Sequence, residues 1–240
     1  MRHPAIPRPL KTLLNFCFLA IISLFCHGNP SDSTFKEWYF TPGGVYGRSP
    51  IADVRYRNYI TIARLDPNTF SVRKVNPAGR LVDNYKLTFA AGKISLITET
   101  NEWGEAVDSM WFTPDGKDEF IVREERKGQN PFLPCKAARY VYKNDLLREI
   151  LCLEDSTKPA TNQEGVAHYV FDRYDDPQRF GMLKSESFFN EIDMPVFSRK
   201  EGCHRLDYEY DKKENLISRS AYDHKDKPMS DRNGAFRTTY

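Results

Sequence analysis

The chain has 240 residues and a formal charge of +2, because 35 Lys and Arg residues face 33 Asp and Glu residues. Three of these cations, and no acid, lie in the first 28 residues, so the remainder carries 32 cations and 33 acids. A near-neutral remainder lacks the excess of cations that phosphate recognition needs, which argues against nucleic-acid binding. Of the 32 aromatic residues, 29 follow residue 28, and these can build a sizeable core.

Residues 1–28 predict a secretory signal peptide. Arg2, Arg8 and Lys11 form a positive start, and the run Leu13–Phe25 is almost entirely apolar over 13 residues. That run matches a signal peptide and is shorter than the roughly 20 residues of a transmembrane helix, although a tilted, uncleaved anchor is the alternative. We therefore expect export, giving a secreted, periplasmic or surface-anchored protein.

The end of the leader allows two processing routes. Cys26 and Gly28 place small residues three and one positions before a cut at Asn29, which is an ordinary signal-peptidase pattern. Alternatively, the sequence around Cys26 resembles the end of a bacterial lipoprotein signal, which implies that Cys26 carries lipid. A lipid chain would hold the protein on a membrane surface, and we expect no other membrane contact.

The cysteines after the leader do not form a disulfide scaffold. Cys135, Cys152 and Cys203 are three, so at most one disulfide forms within the chain, and the sequence leaves its pairing open. A domain of this size does not need a disulfide to fold. We favour the interpretation that all three are small buried thiols.

A repeat organises the C-terminal part. Three prolines, 36 and 33 residues apart, are each followed six or seven residues later by a glycine, and each glycine is followed by an aromatic-rich segment. A Leu-led segment precedes each proline, at 147–153, 183–189 and 216–222. Such periods are typical of units that pack on their neighbours. The prolines are Pro159, Pro195 and Pro228, and the glycines are Gly165, Gly202 and Gly234.

Each unit predicts a β-hairpin with a connecting loop. Alternating aromatics share one face of a strand, because side chains alternate with period two. An aspartate, Asp172 or Asp211, then opens a turn, the Leu-led segment returns as the second strand, and the proline ends it. The glycine supplies a positive φ or a close approach. The aromatic positions are Tyr140, Tyr142, Tyr169, Phe171, Tyr208, Tyr210 and, in the truncated last unit, Tyr240.

The order Tyr-x-Tyr-Asp, turn, Leu-led strand and glycine resembles the tyrosine–aspartate repeats of the RHS family and related MORN-variant repeats, over residues 138–240. This resemblance implies a β scaffold that encloses or presents another component. The unit here is longer than the usual RHS repeat. Glu214 and Asn215 stand where the first turn of that repeat usually has glycine.

The N-terminal half predicts more diverged hairpins over residues 51–134. Tyr85–Phe89 pairs with Ile94–Ile97, and Met110–Phe112 pairs with Phe120–Val122 across a Pro-Asp-Gly turn. Residues 29–50 predict a polar tether with one opening strand. Because no window of 11 or more residues keeps a helical period, we expect a mainly β chain: an elongated stack or meander of antiparallel hairpins, with three units over 135–240.

No motif for catalysis, cofactor binding or metal binding emerges. The histidines His168, His204 and His224 have no HxxxH or HExxH spacing, and no phosphate-binding loop or nucleophile elbow is present. Cys203 and His204 are adjacent, so on a strand they would point to opposite faces. The acidic stretch 172–177 lacks the glycine and distal glutamate of a calcium loop. We predict no catalytic residue, no metal and no cofactor.

Two classes of function remain open. We favour an exported, non-catalytic repeat protein that binds an unknown protein or carbohydrate. The alternative is an envelope hydrolase whose acids lie on different hairpins and meet only in the fold. A pocket with two carboxylates would favour the hydrolase, whereas a face lined by aromatic and polar residues would favour binding. The repeated aromatics themselves are more typical of a core layer than of a binding stripe.

The segment Phe236–Tyr240 predicts a last strand paired with 216–222. Its outer edge would then be unpaired, and such an edge pairs readily with another chain. We expect either an edge-to-edge homodimer or a docking site for an extended peptide, which adds a strand in the same way.

Overall fold

The computed structural model describes residues 34–51, 58–126, 135, 137–155, 157–176 and 179–240. These residues form one antiparallel sheet of fifteen strands, with no helix among them, so the mainly β meander expected from the sequence is confirmed. The proposed signal peptide and Cys26 lie outside the described residues. The strands are β1 Thr34–Thr41, β2 Gly44–Pro50, β3 Tyr59–Asp66, β4 Thr69–Val75, β5 Leu81–Ala90, β6 Lys93–Thr100, β7 Ala106–Pro114, β8 Glu119–Arg126, β9 Ala137–Lys143, β10 Leu146–Leu153, β11 His168–Arg173, β12 Leu183–Phe189, β13 Arg205–Tyr210, β14 Leu216–Tyr222 and β15 Arg237–Thr239.

The strands lie side by side in chain order from β3 to β15, and only β1 departs from this order by lying between β2 and β3. The two hairpins expected in the N-terminal half, β5–β6 and β7–β8, are confirmed by their pairing. Residues 34–50, which the sequence predicted as tether and one strand, form the two-stranded hairpin β1–β2. β1 ends at Thr41 and β2 begins at Gly44, so Pro42 and Gly43 form the turn between them.

The N-terminal part of the sheet coils over itself. The rings of Trp38 and Tyr85 lie 5.3 Å apart, and those of Phe40 and Phe112 lie 5.6 Å apart. In sheet order β7 is five places from β1, which in a flat sheet would separate them by about 24 Å. The β1–β2 hairpin therefore lies across one face of β5 to β7, where Ile94 also donates its N–H to the Pro42 carbonyl at 2.8 Å.

One face of the sheet carries the hydrophobic core. Its centre is a row of directly paired residues on five neighbouring strands, β8 to β12, each at most 8 % exposed. We call the face of the sheet that carries this row the covered face, and we call the opposite face the open face. The row consists of Phe120, Tyr140, Ile150, Tyr169 and Phe188.

The same five-residue turn recurs seven times in the described chain. Its first residue is Asn or Asp, whose side-chain oxygen accepts the N–H groups of the third and fifth residues. Its fourth residue has a positive φ. Short acceptor side chains and residues that tolerate a positive φ favour this turn. The first residues are Asn76, Asn101, Asn162, Asn190, Asp211, Asp223 and Asp231.

The repeat prolines fold each connection back onto its own strand. Pro159, Pro195 and Pro228 form isolated bridges with Leu153, Phe189 and Tyr222 respectively. The residue after each proline donates its N–H to the strand, as Val196 does to the Phe188 carbonyl at 3.0 Å. Each connection then continues as a loop that leads to the next strand. We call residues 161–167 loop 1, 197–204 loop 2 and 230–236 loop 3.

The three loops lie over the covered face and stack on one another. Val166 of loop 1 and Cys203 of loop 2 are fully buried members of the core. The backbone N–H of Arg199 donates to the Glu164 carbonyl at 2.7 Å, and that of Arg232 donates to the Glu201 carbonyl at 2.9 Å. The same contact therefore joins loop 1 to loop 2 and loop 2 to loop 3.

The structure corrects the interpretation of the cysteines as three free thiols. Cys135 and Cys152 form a disulfide, with their Cα atoms 5.6 Å apart. Cys203 alone is a free, buried thiol. Cys152 lies on β10 and Cys135 precedes β9. The disulfide therefore joins the β9–β10 hairpin to the chain segment that leads into it.

The structure also shifts the alignment of the aromatic repeat. Phe171, Tyr208 and Tyr240 each lie six residues after their unit's glycine, whereas Tyr169 lies two residues earlier, level with Leu206. The sequence pattern gave Asp172 and Asp211 the same position in the repeat, but they lie seven and nine residues after their glycines respectively. Asp172 lies inside β11, while Asp211 is the first residue of the turn after β13.

Candidate ligand-binding groove

Polar side chains form a continuous row across the open face of the last five strands. Asp172 on β11 is opposite Ser185 on β12, and Ser185 is opposite Asp207 on β13. The row continues through Ser220 on β14 to Arg237 on β15. Asp172, Asp207 and Ser220 each follow or precede a core residue in sequence and therefore face away from the core, and direct pairing across the strands places Ser185 and Arg237 on the same face.

A shallow groove of about 360 Å³ follows this row. It is built from three strands of two neighbouring repeat units, β11, β12 and β13, together with the segment that follows β11. The groove is lined mainly by polar and charged groups, so it suits a ligand rich in hydrogen-bonding groups. Its lining residues are Asp172, Tyr174, Lys184, Ser185, Arg205, Asp207, Tyr208 and Glu209.

The carboxylates of the groove are held in ion pairs. Asp172 contacts Lys184 at 3.0 Å and Arg148 at 3.5 Å, and the hydrogen bond to Asp172 raises the pKa of Lys184. Asp207 contacts Arg205 at 2.9 Å. Arg205 also pairs with Asp226 in the turn after β14, so its guanidinium is fixed from two sides.

The two ends of the groove are closed by further polar contacts. Glu209 accepts a hydrogen bond from the Ser218 hydroxyl at 2.7 Å and pairs with Arg237. At the other end the Tyr174 hydroxyl donates to the Tyr208 carbonyl at 3.1 Å, and the Arg179 guanidinium lies 4.0 Å from the centre of the Tyr174 ring. These contacts hold the groove side chains in one arrangement before any ligand binds.

The carboxyl groups with a raised pKa lie away from the groove. Burial raises the pKa of Glu186 from 4.5 to about 7, with Glu201 and Glu164 adding to the effect. Glu186 is two residues from the core residue Phe188 on β12, so it lies on the covered face. Glu99, whose pKa is also raised by burial, pairs across strands with Tyr85, far along the sheet from the groove. Neither of these two carboxyl groups lines the groove.

Glu186 belongs to a cluster of charged groups beneath the loops. The Tyr208 hydroxyl donates to Glu186 at 3.2 Å. In the loops, ion pairs run from Glu164 to Lys200 at 4.0 Å and from Lys200 to Glu201 at 3.9 Å. They continue from Glu201 to Arg219 at 3.1 Å and from Arg219 to Asp231 at 2.9 Å. This chain of charges links all three loops to β14.

The predicted repeat residues fall into three structural roles. Tyr140, Tyr142 and Tyr169 are buried on the covered face, and Phe171 and Tyr208 pack against the same core. The Tyr174 and Tyr210 rings meet edge to face, and Tyr240 is two-thirds exposed. The three prolines form the bridges described above. The three glycines all have positive φ values, between 76° and 81°.

The histidines are spread over different contacts. His168 lies between Glu149 at 3.3 Å and Asp193 at 2.8 Å, and His204 contacts the Phe188 carbonyl at 2.9 Å. His224 packs beside Phe197. Within the described ranges no group of three or more His, Cys, Asp or Glu side chains could hold a metal ion. The same part of the chain has no helix that is long and apolar enough to cross a membrane.

Sequence reasoning did not find the groove. The sequence pattern assigns Asp172 to a turn and to the acidic stretch 172–177 that was compared with a calcium loop, and it assigns no site role to Ser185, Arg205 or Asp207. A signal was present, because Ser-x-Ser recurs at 185–187 and 218–220, on alternate positions of the two Leu-led strands. This alternation marks a polar face opposite the core.

No protein-family model matches the chain, and comparison with curated proteins finds no significant match.

Proposed function

We propose that this chain is an exported, non-catalytic β-repeat protein that binds a polar macromolecule, a carbohydrate or a protein, in the groove of its open face. The observation that carries this proposal is the row from Asp172 through Ser185 to Asp207, built jointly by two repeat units. Hydroxyl, carboxylate and guanidinium groups offer donors and acceptors side by side, which suits sugar hydroxyls or a peptide backbone.

Ion pairing supports binding over catalysis. Asp172 contacts Lys184 at 3.0 Å and Asp207 contacts Arg205 at 2.9 Å, so both carboxylates are held in place as hydrogen-bond acceptors for a ligand. Two carboxylates in one groove are nevertheless what the rival hydrolase requires. The experiment must therefore measure binding and hydrolysis together.

Export is the second part of the proposal. It rests on the positive start and the 13-residue apolar run at Leu13–Phe25. When the protein is expressed in a bacterium with its own leader, mass spectrometry should find either a lipid-modified N-terminal Cys26 or a free Asn29. A full-length cytoplasmic product would contradict export.

Blocking the groove tests the binding function. Ser185→Tyr places a bulky side chain at the centre of the groove, on a strand that accepts aromatic residues. The matched control is Ser187→Tyr, on the same strand and face but outside the groove lining. Binding to a panel of defined polysaccharides and extended peptides should fall at least tenfold for Ser185→Tyr and stay within twofold for Ser187→Tyr.

Two outcomes would contradict the proposal. Equal binding by both variants would place the ligand site elsewhere. Hydrolysis of any polysaccharide in the panel, lost in Asp172→Asn or Asp207→Asn, would establish the hydrolase instead. Far-ultraviolet circular dichroism of each variant shows whether the β sheet is retained, so that loss of binding is not confused with unfolding.

A further inference from the structure

The carboxyl cluster beneath the loops consists of Glu186 on the sheet and of Glu164 and Glu201 on loops 1 and 2. Glu186 lies on β12 in the interior of the sheet, where hydrogen bonds to β11 and β13 fix its backbone. Loop 1 places Glu164 3.2 Å from the Tyr169 hydroxyl, and loop 2 places Glu201 3.1 Å from Arg219, which lies opposite Tyr208 on the neighbouring strand. Tyr208 donates a hydrogen bond to Glu186 from β13.

Every element packed around Glu186 contributes a titratable or charged group. β11 contributes Tyr169, which the Asn162 amide and Glu164 hold by hydrogen bonds at 2.6 Å and 3.2 Å. Loop 2 contributes the buried thiol of Cys203 and the exposed ammonium of Lys200. The Arg219 guanidinium of β14 is directed to Glu201 and Asp231. The described surroundings of Glu186 therefore hold two further carboxylates and two cations, Lys200 and Arg219, each of which already pairs with two carboxylates.

We propose that Glu186 is a proton-operated switch that controls how closely loop 1 and loop 2 lie on the covered face. When Glu186 is neutral, its carboxyl group shares a hydrogen bond with Tyr208 and adds no charge beneath the loops. When Glu186 loses its proton, a third negative charge is added near Glu164 and Glu201 in half-buried surroundings. The sheet cannot relieve this repulsion, because strand pairing holds β12 on both sides, so the loops move outwards.

The direction of the pH effect follows from linkage. Burial raises the pKa of Glu186 from 4.5 to about 7 when the loops are closed. The closed state thus binds the proton more tightly than an open state in which the carboxyl group meets water. Raising the pH through this window favours the open state, by up to about 300-fold at full ionisation, since each unit of pKa difference is a factor of ten.

Cys203 is a built-in reporter of loop opening. Its thiol is fully buried at the base of loop 2, directly after Gly202. Burial raises the pKa of this thiol to about 11, so the closed state reacts very slowly. A soluble thiol reagent therefore labels Cys203 mainly when loop 2 lifts. Cys135 and Cys152 are bonded to each other and do not react under oxidising conditions, and Cys17 and Cys26 are replaced by Ser in every protein compared.

The experiment compares labelling rates of the wild type and Glu186→Gln at the same pH, which cancels the intrinsic pH dependence of the thiol. We expect the ratio of the wild-type rate to the Glu186→Gln rate to rise at least tenfold between pH 5.5 and pH 8.5. Glu102→Gln, which removes an exposed carboxylate in the turn between β6 and β7, is the matched control and should behave as wild type. A ratio that does not rise between these two pH values would overturn the switch.

A second measurement keeps the proposal testable if Glu186→Gln does not fold. The side-chain carboxyl signal of Glu186 in the wild type can be followed by nuclear magnetic resonance from pH 4 to 9. A midpoint near 7, accompanied by shifts of the loop 1 and loop 2 amides, supports the switch. A midpoint near 4.5, or titration without any change in the loops, would refute it.

Discussion

Backbone conformation at single residues decides how the repeat units stack. The glycines of loops 1 to 3 all need a positive φ, but only Gly202 also has close backbone above it. A Cβ atom at this position would lie 2.7 Å from the Arg232 backbone nitrogen. That nitrogen donates the hydrogen bond that joins loop 3 to Glu201. At Gly234 the φ is the same within a few degrees, and a Cβ atom would meet no heavy atom within 4 Å.

This difference separates backbone strain from loop stacking. Gly234→Ala should cost about 1 kcal/mol, the usual penalty of a side chain at positive φ. Gly202→Ala should cost about 2–4 kcal/mol, because the hydrogen bond from the Arg232 N–H to the Glu201 carbonyl must break as well. Urea unfolding of both variants measures the two values. Equal losses of stability would show that the stacking of loops 2 and 3 contributes nothing.

At the scale of single elements, the turns explain why the hairpins could be located from sequence. Each turn is stabilised within five residues, by an Asn or Asp side chain that accepts two N–H groups of its own turn. Such local chemistry is visible in a linear pattern such as Asn101-x-x-Gly104. The Leu-led segment 147–153, predicted as a strand from the repeat, lies in β10, where it pairs with β9 and β11.

The disulfide acts on one hairpin of the sheet. It joins Cys135 to Cys152 across a sequence separation of 17 residues. Closing a loop of this length stabilises a protein by about 3 kcal/mol in the chain-entropy description. The double variant Cys135→Ala, Cys152→Ala should therefore lose about 3 kcal/mol in urea unfolding relative to the oxidised protein.

Reductant provides the control for this prediction. It should lower the stability of the wild type towards that of the double variant and leave the double variant unchanged. Cys203, which is free and buried, contributes equally to both proteins. If the wild type unfolds at the same urea concentration with and without reductant, the bond does not stabilise the hairpin.

At the scale of the whole molecule, the described sheet has edges at β2 and β15. The backbone pairing of β15 with β14 is regular, since Tyr240 donates its N–H to Ile217 at 3.1 Å and Phe236 accepts from Ala221 at 2.9 Å. Backbone groups alternate along a strand, so Thr238 faces β14 whereas Arg237 and Thr239 direct their N–H groups outwards. β15 matches the last strand predicted at Phe236–Tyr240, one residue shorter at each end.

Proline at Thr239 tests the proposed edge pairing. Thr239→Pro removes an outward N–H without touching the ladder to β14, so a dimer or peptide complex formed through this edge should weaken at least tenfold while the monomer stays folded. Thr238→Pro is the contrasting variant and should destabilise the monomer itself. Sedimentation across a range of concentrations measures association. Unchanged sedimentation and unchanged partner binding for Thr239→Pro would exclude the edge as an interface.

The sequence by itself determined the class of fold and the boundaries of most hairpins, because alternation, turn residues and repeat spacing act over a few residues. Tyr140 and Tyr142 could be assigned to one face for this reason. The repeat spacing likewise located Pro159, Gly165 and their equivalents.

The tertiary structure decided what depends on register between strands distant in sequence. Only pairing across β11, β12 and β13 brings Asp172, Ser185 and Asp207 into one groove, and only the path of the loops brings Glu164 and Glu201 over Glu186. The disulfide and the packing of Phe40 on Phe112 are of the same kind. A local pattern states which face a side chain takes. It does not state which side chains from other strands share that face at the same level, and the chemistry of the groove and of the half-buried carboxyl cluster depends on that.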